Sequence, residues 1–270
     1  MTEAQIIEGS FNYLVPTGET PVTYLYEPSK SEALRKGRYA AHSLLVADGR
    51  PIAARLSLDT QGFALSHHAS AVKSFADEDE IKTVYYPEME RLVKQLTGAP
   101  RVLVFDHTLR DNSPDGRAAL KAREPVRVVH NDYTPRSGPQ RIRDLLPAEA
   151  EDLLGRRYVF INVWKPIKGP VEEAPLAVCD ARTIAAQDWV ATELRYPDRR
   201  GEVYSVAFNP AHRWYYFPRM EQDEALLIKC YDSAEDGRAR FAAHSAFDDP
   251  TTAPGAPPRQ SIEIRTIALF

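Results

Sequence analysis

The chain has only two cysteines in 270 residues, Cys179 and Cys230. Each lies inside an apolar, strand-like run, which excludes a disulfide framework and a cysteine-based zinc site. Basic residues never adjoin in more than pairs and the formal net charge is -4, so the clustered positive charge of a nucleic-acid groove is missing. No apolar run approaches the roughly 18 residues of a spanning helix, and residues 1–30 are interrupted by charges and by Pro16 and Gly18. A cytoplasmic, soluble protein is expected, with neither nucleic acid nor membrane as partner. No Gly-rich strand-to-helix turn of the kind that cradles a nucleotide cofactor occurs either.

What is present is an ordinary globular composition, 43% hydrophobic, long enough for one large domain. The expectation is a single domain over 1–270, with strands and a helix of 1–100 packing on a core formed by 101–270. Runs rich in β-branched and aromatic residues recur at short intervals: SFNYLV (10–15), VTYLYE (22–27), RVLVFDHT (101–108), RVVH (127–130), YVFINVW (158–164) and LAVCDA (176–181). VYSVAF (203–208), RWYYF (213–217), ALLIKCY (225–231), ARFAAH (239–244) and SIEIRTIAL (261–269) continue the series. Many short strands predict a mainly β protein, a sandwich or barrel. Three helical segments interrupt them: 77–98, with Pro87 as a break or kink, 138–155, split by Pro147, and 185–195. Four prolines in 248–259 mark that stretch as a connector.

The stretch VVHNDYT, residues 128–134, puts His130 and Asp132 two positions apart at the end of a β-branched run. Residues i and i+2 of a strand point the same way, so imidazole and carboxylate converge. That pair is two-thirds of a 2-His-1-carboxylate iron site; its bland alternative is a surface His–Asp pair at a strand end. In a double-stranded β-helix of the cupin type, the remaining histidine comes from the next-to-last strand. His244 fits, with one further strand after it. His212 has four strand-like segments after it, which favours a turn-capping role.

The last strand carries a second signal. Arg259, Ser261, Glu263 and Arg265 share one parity, and Ile262 and Ile264 the other. If the isoleucines pack outward, the polar face looks into the barrel, where charges need an anion partner. A dicarboxylate would serve, since arginine's fork binds a carboxylate bidentately and a hydroxyl two residues on adds a donor. A solvent-facing edge strand is the plainer alternative.

The blocks HND (130–132), the distal His244 and RQS (259–261) resemble the H-x-D, distal His and R-x-S pattern of the iron(II)- and 2-oxoglutarate-dependent oxygenases. More narrowly, YYPE, VFDHT, VHNDYT, INVWKPI, PLAVCDART, HRWYYFPRM, DEALLIKCYDS and APPRQSIE, in that order from about residue 60, resemble the CmcJ/AsaB-type hydroxylase/desaturase group. The resemblance implies a jelly-roll, double-stranded β-helix core with inserted and flanking helices. It implies an enzyme that uses Fe(II), 2-oxoglutarate and O2 to hydroxylate or desaturate an unactivated C–H bond of a small molecule in secondary metabolism. Carried onto this sequence, His130, Asp132 and His244 hold iron, while Arg259 and Ser261 anchor the distal carboxylate of 2-oxoglutarate, with Arg265 the alternative anchor. The 112 residues between Asp132 and His244 depart from the plainer superfamily pattern and must contain the inserted helices. Asn162 and Trp164 on one strand, and Trp214 and Tyr216 on another, are candidate substrate-lining residues whose bland reading is core. The rival class is a jelly-roll protein that binds a ligand or metal without oxygen chemistry.

Overall fold

In the computed structural model, residues 5–26 and 35–270 are described. The first hundred residues supply β1 (Ile6–Val15), β2 (Val22–Tyr24), β3 (Arg35–Lys36), β4 (Arg38–Asp48) and β5 (Phe63–His67), then a helical segment. That segment has α1 (Glu78–Glu80), a π turn (Ile81–Tyr85) and α2 (Tyr86–Thr97). β6 (Arg101–Asp111), α3 (Pro114–Leu120), β7 (His130–Asn131), α4 (Ser137–Leu145), α5 (Ala150–Leu154), β8 (Tyr158–Lys168) and β9 (Leu176–Cys179) follow. The chain ends with β10 (Trp189–Arg195), β11 (Arg200–Val206), β12 (Trp214–Tyr216), β13 (Glu224–Asp232), β14 (His244–Ala246) and β15 (Gln260–Leu269).

Two sheets face each other. The larger runs β1-β4-β12-β9-β14-β7-β11-β10-β2-β3, the smaller β5-β13-β8-β15-β6. Isolated bridges from β1 to Val128, Ala207 and Asp248 curl the larger sheet back on itself. Period-2 alternation then assigns each residue to a layer. Phe160, Trp164, Leu226, Ile228 and Ile267 of the smaller sheet meet Leu176 and Val178 of the larger in one core. Val159, Ile161, Val163, Ile262 and Ile264 face the other way, under Tyr85, Met89, Leu92 and Val93 of the helix. Those helical residues recur at i, i+4, i+7 and i+8, the stripe of an amphipathic helix. Ile262 and Ile264 thus pack outward, and Ser261, Glu263 and Arg265 look between the sheets.

Proline chemistry shaped the helices. Asp77 caps the first turn through the amides of Asp79 and Glu80, and Gly98 ends the last turn at φ 71°. Pro87 does not break the segment. The preceding turn widens so that the Tyr86 amide bonds the Ile81 carbonyl, five residues back, and the proline, which has no amide to place, starts the α-helix that follows. Pro147 separates α4 from α5 as expected.

The helix expected over 185–195 is absent. After one 3-10 turn, Trp189–Arg195 is a strand, antiparallel to β11 and parallel to β2. Trp189, Val190 and Thr192 favour extended backbone, and the Thr192 hydroxyl bonds Ser205 across the pair at 2.8 Å. Tertiary pairing outweighs the helical spacing of this short segment. The run 239–244 reaches the sheet only at His244, and Glu27, at the end of VTYLYE, lies outside the described residues.

Candidate metal centre

His130 is the meeting point of three strands. It lies opposite Ser205 of β11 and opposite His244 of β14, and His244 lies opposite Val178 of β9. Residues directly opposite in neighbouring strands share a face, so the two imidazoles, 114 residues apart in sequence, stand with ring centroids 4.4 Å apart. Asp132 follows the short β7 and closes the group, while Asn131 turns to the carbonyls of Tyr133 and Cys230. One ligand atom from each of His130, Asp132 and His244 lies within 4.8 Å of the others.

Each ligand is oriented by a neighbour. The Nδ1 atoms of His130 and His244 stand 2.8 and 3.1 Å from the carbonyls of Val128 and Ala242, which fixes the tautomer and leaves each Nε2 as the free ligand atom. Asp132 Oδ2 accepts from Asn162 Nδ2 at 2.8 Å and from Arg265 Nε at 3.2 Å. Burial alone would raise the Asp132 carboxyl, but Arg265 and the two imidazoles outweigh it and hold it below the usual carboxylate range. Burial, helped by the charge of His244, pushes the His130 imidazole down to about 3. A neutral His130 beside an ionised Asp132 has the protonation states a metal requires.

These shifts have a measurable sign. The folded pKa of His130 lies below its unfolded value, and burial lowers His212 as well. Between pH 6.5 and about 3 the unfolded chain therefore binds more protons than the metal-free folded chain. Stability is present above pH 6.5 and is lost as pH falls below it, by up to about 1.4 kcal/mol per pH unit for each such histidine. Denaturant titrations of metal-free protein at pH 7.5, 6.5 and 5.5 should show this fall, and His130→Gln should reduce it. A flat profile would contradict the burial of a neutral His130.

His212 is not part of the group. Its Nδ1 bonds the Tyr13 hydroxyl at 3.0 Å and its Nε2 meets Asp188 Oδ2 at 3.1 Å, in a core that also holds the Trp214 indole on Tyr13. His212→Ala should cost about 2–4 kcal/mol in urea denaturation, because Asp188 and Tyr13 lose a buried partner. Metal content should not change.

The last strand and β8 build the wall behind the metal ligands. Ser261 pairs with Pro166, Glu263 with Trp164 and Arg265 with Asn162. Arg265 is fully engaged: its guanidinium reaches Asp132, Asp106, Glu263 and Thr108. Arg259, 2% exposed, donates from Nη1 to the Ala174 carbonyl at 2.6 Å and lies over the Trp164 ring at 5.4 Å. Burial pushes its pKa down to about 9, as expected of a cation with no carboxylate partner. Among the described residues, the buried polar side-chain atoms without a partner include Arg259 Nε, Ser261 Oγ, Trp164 Nε1, Asn162 Oδ1 and His244 Nε2. A buried orphan of this kind costs about 1–3 kcal/mol; Arg259, Ser261 and His244 belong to the expected metal and co-substrate set, whereas Asn162 and Trp164 belong to the set expected to line the substrate. Their chemistry suits a metal on His244 and a carboxylate on the three donors.

In front of the ligands opens a cavity of about 1730 Å³ lined by His130, Asp132, Tyr133 and Arg265, among others. The substrate-lining expectations need correction here. Trp214 and Tyr216 lie on the far side of the larger sheet with Phe11 and Phe247, because the alternation of β12 turns Tyr215 inward instead. Asn162 and Trp164 face inward but do not line the cavity; Asn162 holds Asp132. The residues that do line it include Phe105, Leu109, Arg110, Val128 and Arg141. Their signal was present: Arg110 shares parity with Asp106 and Thr108 on the β6 face that opposes the polar face of β15.

Two imidazoles and a carboxylate on the inner face of a jelly roll are the donor set that suits a mononuclear non-haem iron centre. Residues 11–269 match the family model described as an oxidoreductase/YMDC permease-like domain. The chain is 34% identical to the hydroxylase/desaturase efuI of Hormonema carpetanum, over 94% of this chain and 96% of that one. It is 32% identical to the Fe(II)/2-oxoglutarate-dependent dioxygenase nvfI of Aspergillus novofumigatus, over 91% and 90%. The solved structure of the iron and alpha-ketoglutarate-dependent endoperoxidase NvfI superposes with a TM-score of 0.89 at 29% identity, covering 98% of both chains. The chain belongs to the hydroxylase/desaturase group of the iron(II)- and 2-oxoglutarate-dependent oxygenases.

Proposed function

We propose that His130, Asp132 and His244 hold iron(II), and that Arg259 and Ser261, joined by the Trp164 indole, receive the distal carboxylate of 2-oxoglutarate. The reaction is the hydroxylation or desaturation of an unactivated C–H bond of a small molecule. Arg265 keeps Asp132 ionised and aimed. The observation that carries this reading is the convergence of three ligand atoms within 4.8 Å, backed by unpaired buried donors on Arg259, Ser261 and Trp164. When bound, iron, 2-oxoglutarate and O2 supply the oxidising power, with 2-oxoglutarate decarboxylated in the process. The chain's own residues do the rest. Val128 and Ala242 hold the imidazoles in one tautomer, Asn162 and Arg265 fix the carboxylate, and the packed wall of β8 and β15 excludes water behind the metal.

One oxygenase domain is the corresponding reading of the chain, since strands from its first hundred residues enter both sheets. A cytoplasmic role in secondary metabolism belongs to the same proposal. Among the described residues no helix is long and apolar enough to cross a membrane. A non-catalytic jelly-roll binder would share the fold, and one measurement separates the two. Anaerobic protein given Fe(II) and 2-oxoglutarate should develop the weak visible charge-transfer band of the chelated co-substrate, and O2 should then discharge it with release of CO2. A protein that binds iron yet shows neither band nor CO2 is a binder.

A further inference from the structure

The wall of the large cavity is unevenly neutralised. Its acidic side chains all have partners: Asp106 and Asp132 meet Arg265, Glu193 meets Arg200, Glu202 meets Arg136 and Glu124 meets Arg117. Glu78 is held by Lys82 and His107, and Asp144 accepts from Gln140. Several cations of the same wall are left over. Among the described residues, Arg110, Arg123 and Arg141 have no carboxylate within 4 Å, although the chain as a whole is acidic. Arg110 donates only to the Glu124 carbonyl at 2.8 Å, and Arg141 lies over the Phe105 ring at 5.0 Å.

Arg110 also acts electrostatically on the candidate metal ligands. It projects from β6 opposite Ser261, and its charge acts on both His130 and Asp132, while that of Arg141 acts on Tyr133. Arg110 is half-buried, and desolvation lowers its pKa from the ordinary arginine value, opposed by the charges of Glu263 and Asp132. A partly desolvated guanidinium with no carboxylate in contact gains from an arriving anion. The distal carboxylate of the co-substrate has its own unpaired donors on Arg259, Ser261 and Trp164; Arg110, whose charge also acts on Arg259, lines the cavity that these three do not.

We propose that the organic substrate is an amphipathic acid, whose carboxylate is received by the planar fork of Arg110 with Arg141 adding to the attraction, and whose carbon skeleton lies on Phe105, Val128 and Tyr133. The inference rests on the oxygenase reading of the metal centre. Fork-to-carboxylate recognition fixes orientation as well as affinity, so the anchored end also decides which C–H bonds of the skeleton are presented to the metal.

The test uses anaerobic protein saturated with Fe(II) and 2-oxoglutarate, titrated with benzoate, 2-naphthoate and decanoate and with their neutral primary amides. Binding is followed by calorimetry and the charge-transfer band is watched throughout. At least one acid should bind about tenfold or more tightly than its amide, as for the loss of one charge-assisted contact, with the band retained. In Arg110→Gln that preference should shrink to about twofold or less while the 2-oxoglutarate midpoint stays unchanged. Arg141→Gln should give a smaller loss and keeps the question open to measurement if Arg110→Gln does not fold. Binding of none of the acids, equal binding of acid and amide, or a preference untouched by either substitution would overturn the proposal. So would loss of the band on adding acid, or a 2-oxoglutarate midpoint that moves in Arg110→Gln, since either would place the site with the co-substrate. A protein that keeps the acid preference but never forms the band would sink the oxygenase reading alone.

Discussion

His244→Ala is expected to fold and to lose iron. The His244 side chain gives only its Nδ1 to the Ala242 carbonyl, and its buried Nε2 has no protein partner, so removing it breaks one weak contact in the metal-free chain. The metal loses one of three ligands. Replacing the outer partners of a ligand alone typically costs 10–100-fold in affinity or activity, so deletion of the ligand itself should cost at least about a hundredfold. The same follows for His130→Ala and Asp132→Ala. Iron content after anaerobic desalting, and CO2 released per minute from 2-oxoglutarate, are the measurements. Full turnover in Asp132→Ala would remove the proposed centre, and iron lost from His212→Ala but kept in His244→Ala would move the third ligand to His212. Asn162→Ala is the graded companion: Asp132 keeps Arg265 but loses one of its two fixed donors, so iron should weaken by about tenfold rather than vanish.

Arg259→Lys should raise the 2-oxoglutarate constant by about ten- to a hundredfold with iron retained. Lysine keeps the charge but not the planar fork, and the loss of a charge-assisted hydrogen bond is worth about 1.5–3 kcal/mol. The substitution also tests the wall, since the guanidinium bonds Ala174 and lies over Trp164; Trp164→Phe, which removes the indole N–H together with part of the buried ring volume, should weaken 2-oxoglutarate by a smaller factor and cost some stability. Arg265→Lys separates the two arginines. Its donors are committed to Asp132, Asp106 and Glu263, so its main effect should fall on iron affinity. Anaerobic titrations read by the charge-transfer band decide between them: weakening of 2-oxoglutarate confined to Arg265→Lys would transfer the anchor to Arg265.

Much of this centre could be read in advance because it rests on short-range rules. His130 and Asp132 converge through the period-2 geometry of an extended chain, and β15 announces a polar inner face and an apolar outer one through parity alone. The pairing of α4 and α5 around Pro147, and the connector before Arg259, are likewise local effects of proline. Errors arose where a neighbour decides. Residues 185–195 carry helical spacing, yet strands β2 and β11 on either side draw them into the sheet. Which face of β12 meets the cavity depends on how the larger sheet curls, so Trp214 and Tyr216 could not be told from Tyr215 by alternation alone.

By itself, then, the amino-acid order determined a β-rich chain, its HxD pair, the histidine before the last strand and the arginine and serine that open it, because residue type and spacing of two are properties of the chain. Only the tertiary structure decided that His244 stands opposite His130, that Arg265 is spent on Asp132 and that Arg110 is left unpaired in the cavity wall. Register across strands more than a hundred residues apart, and the neutralisation of one charge by another, exist only once the two sheets have closed on each other.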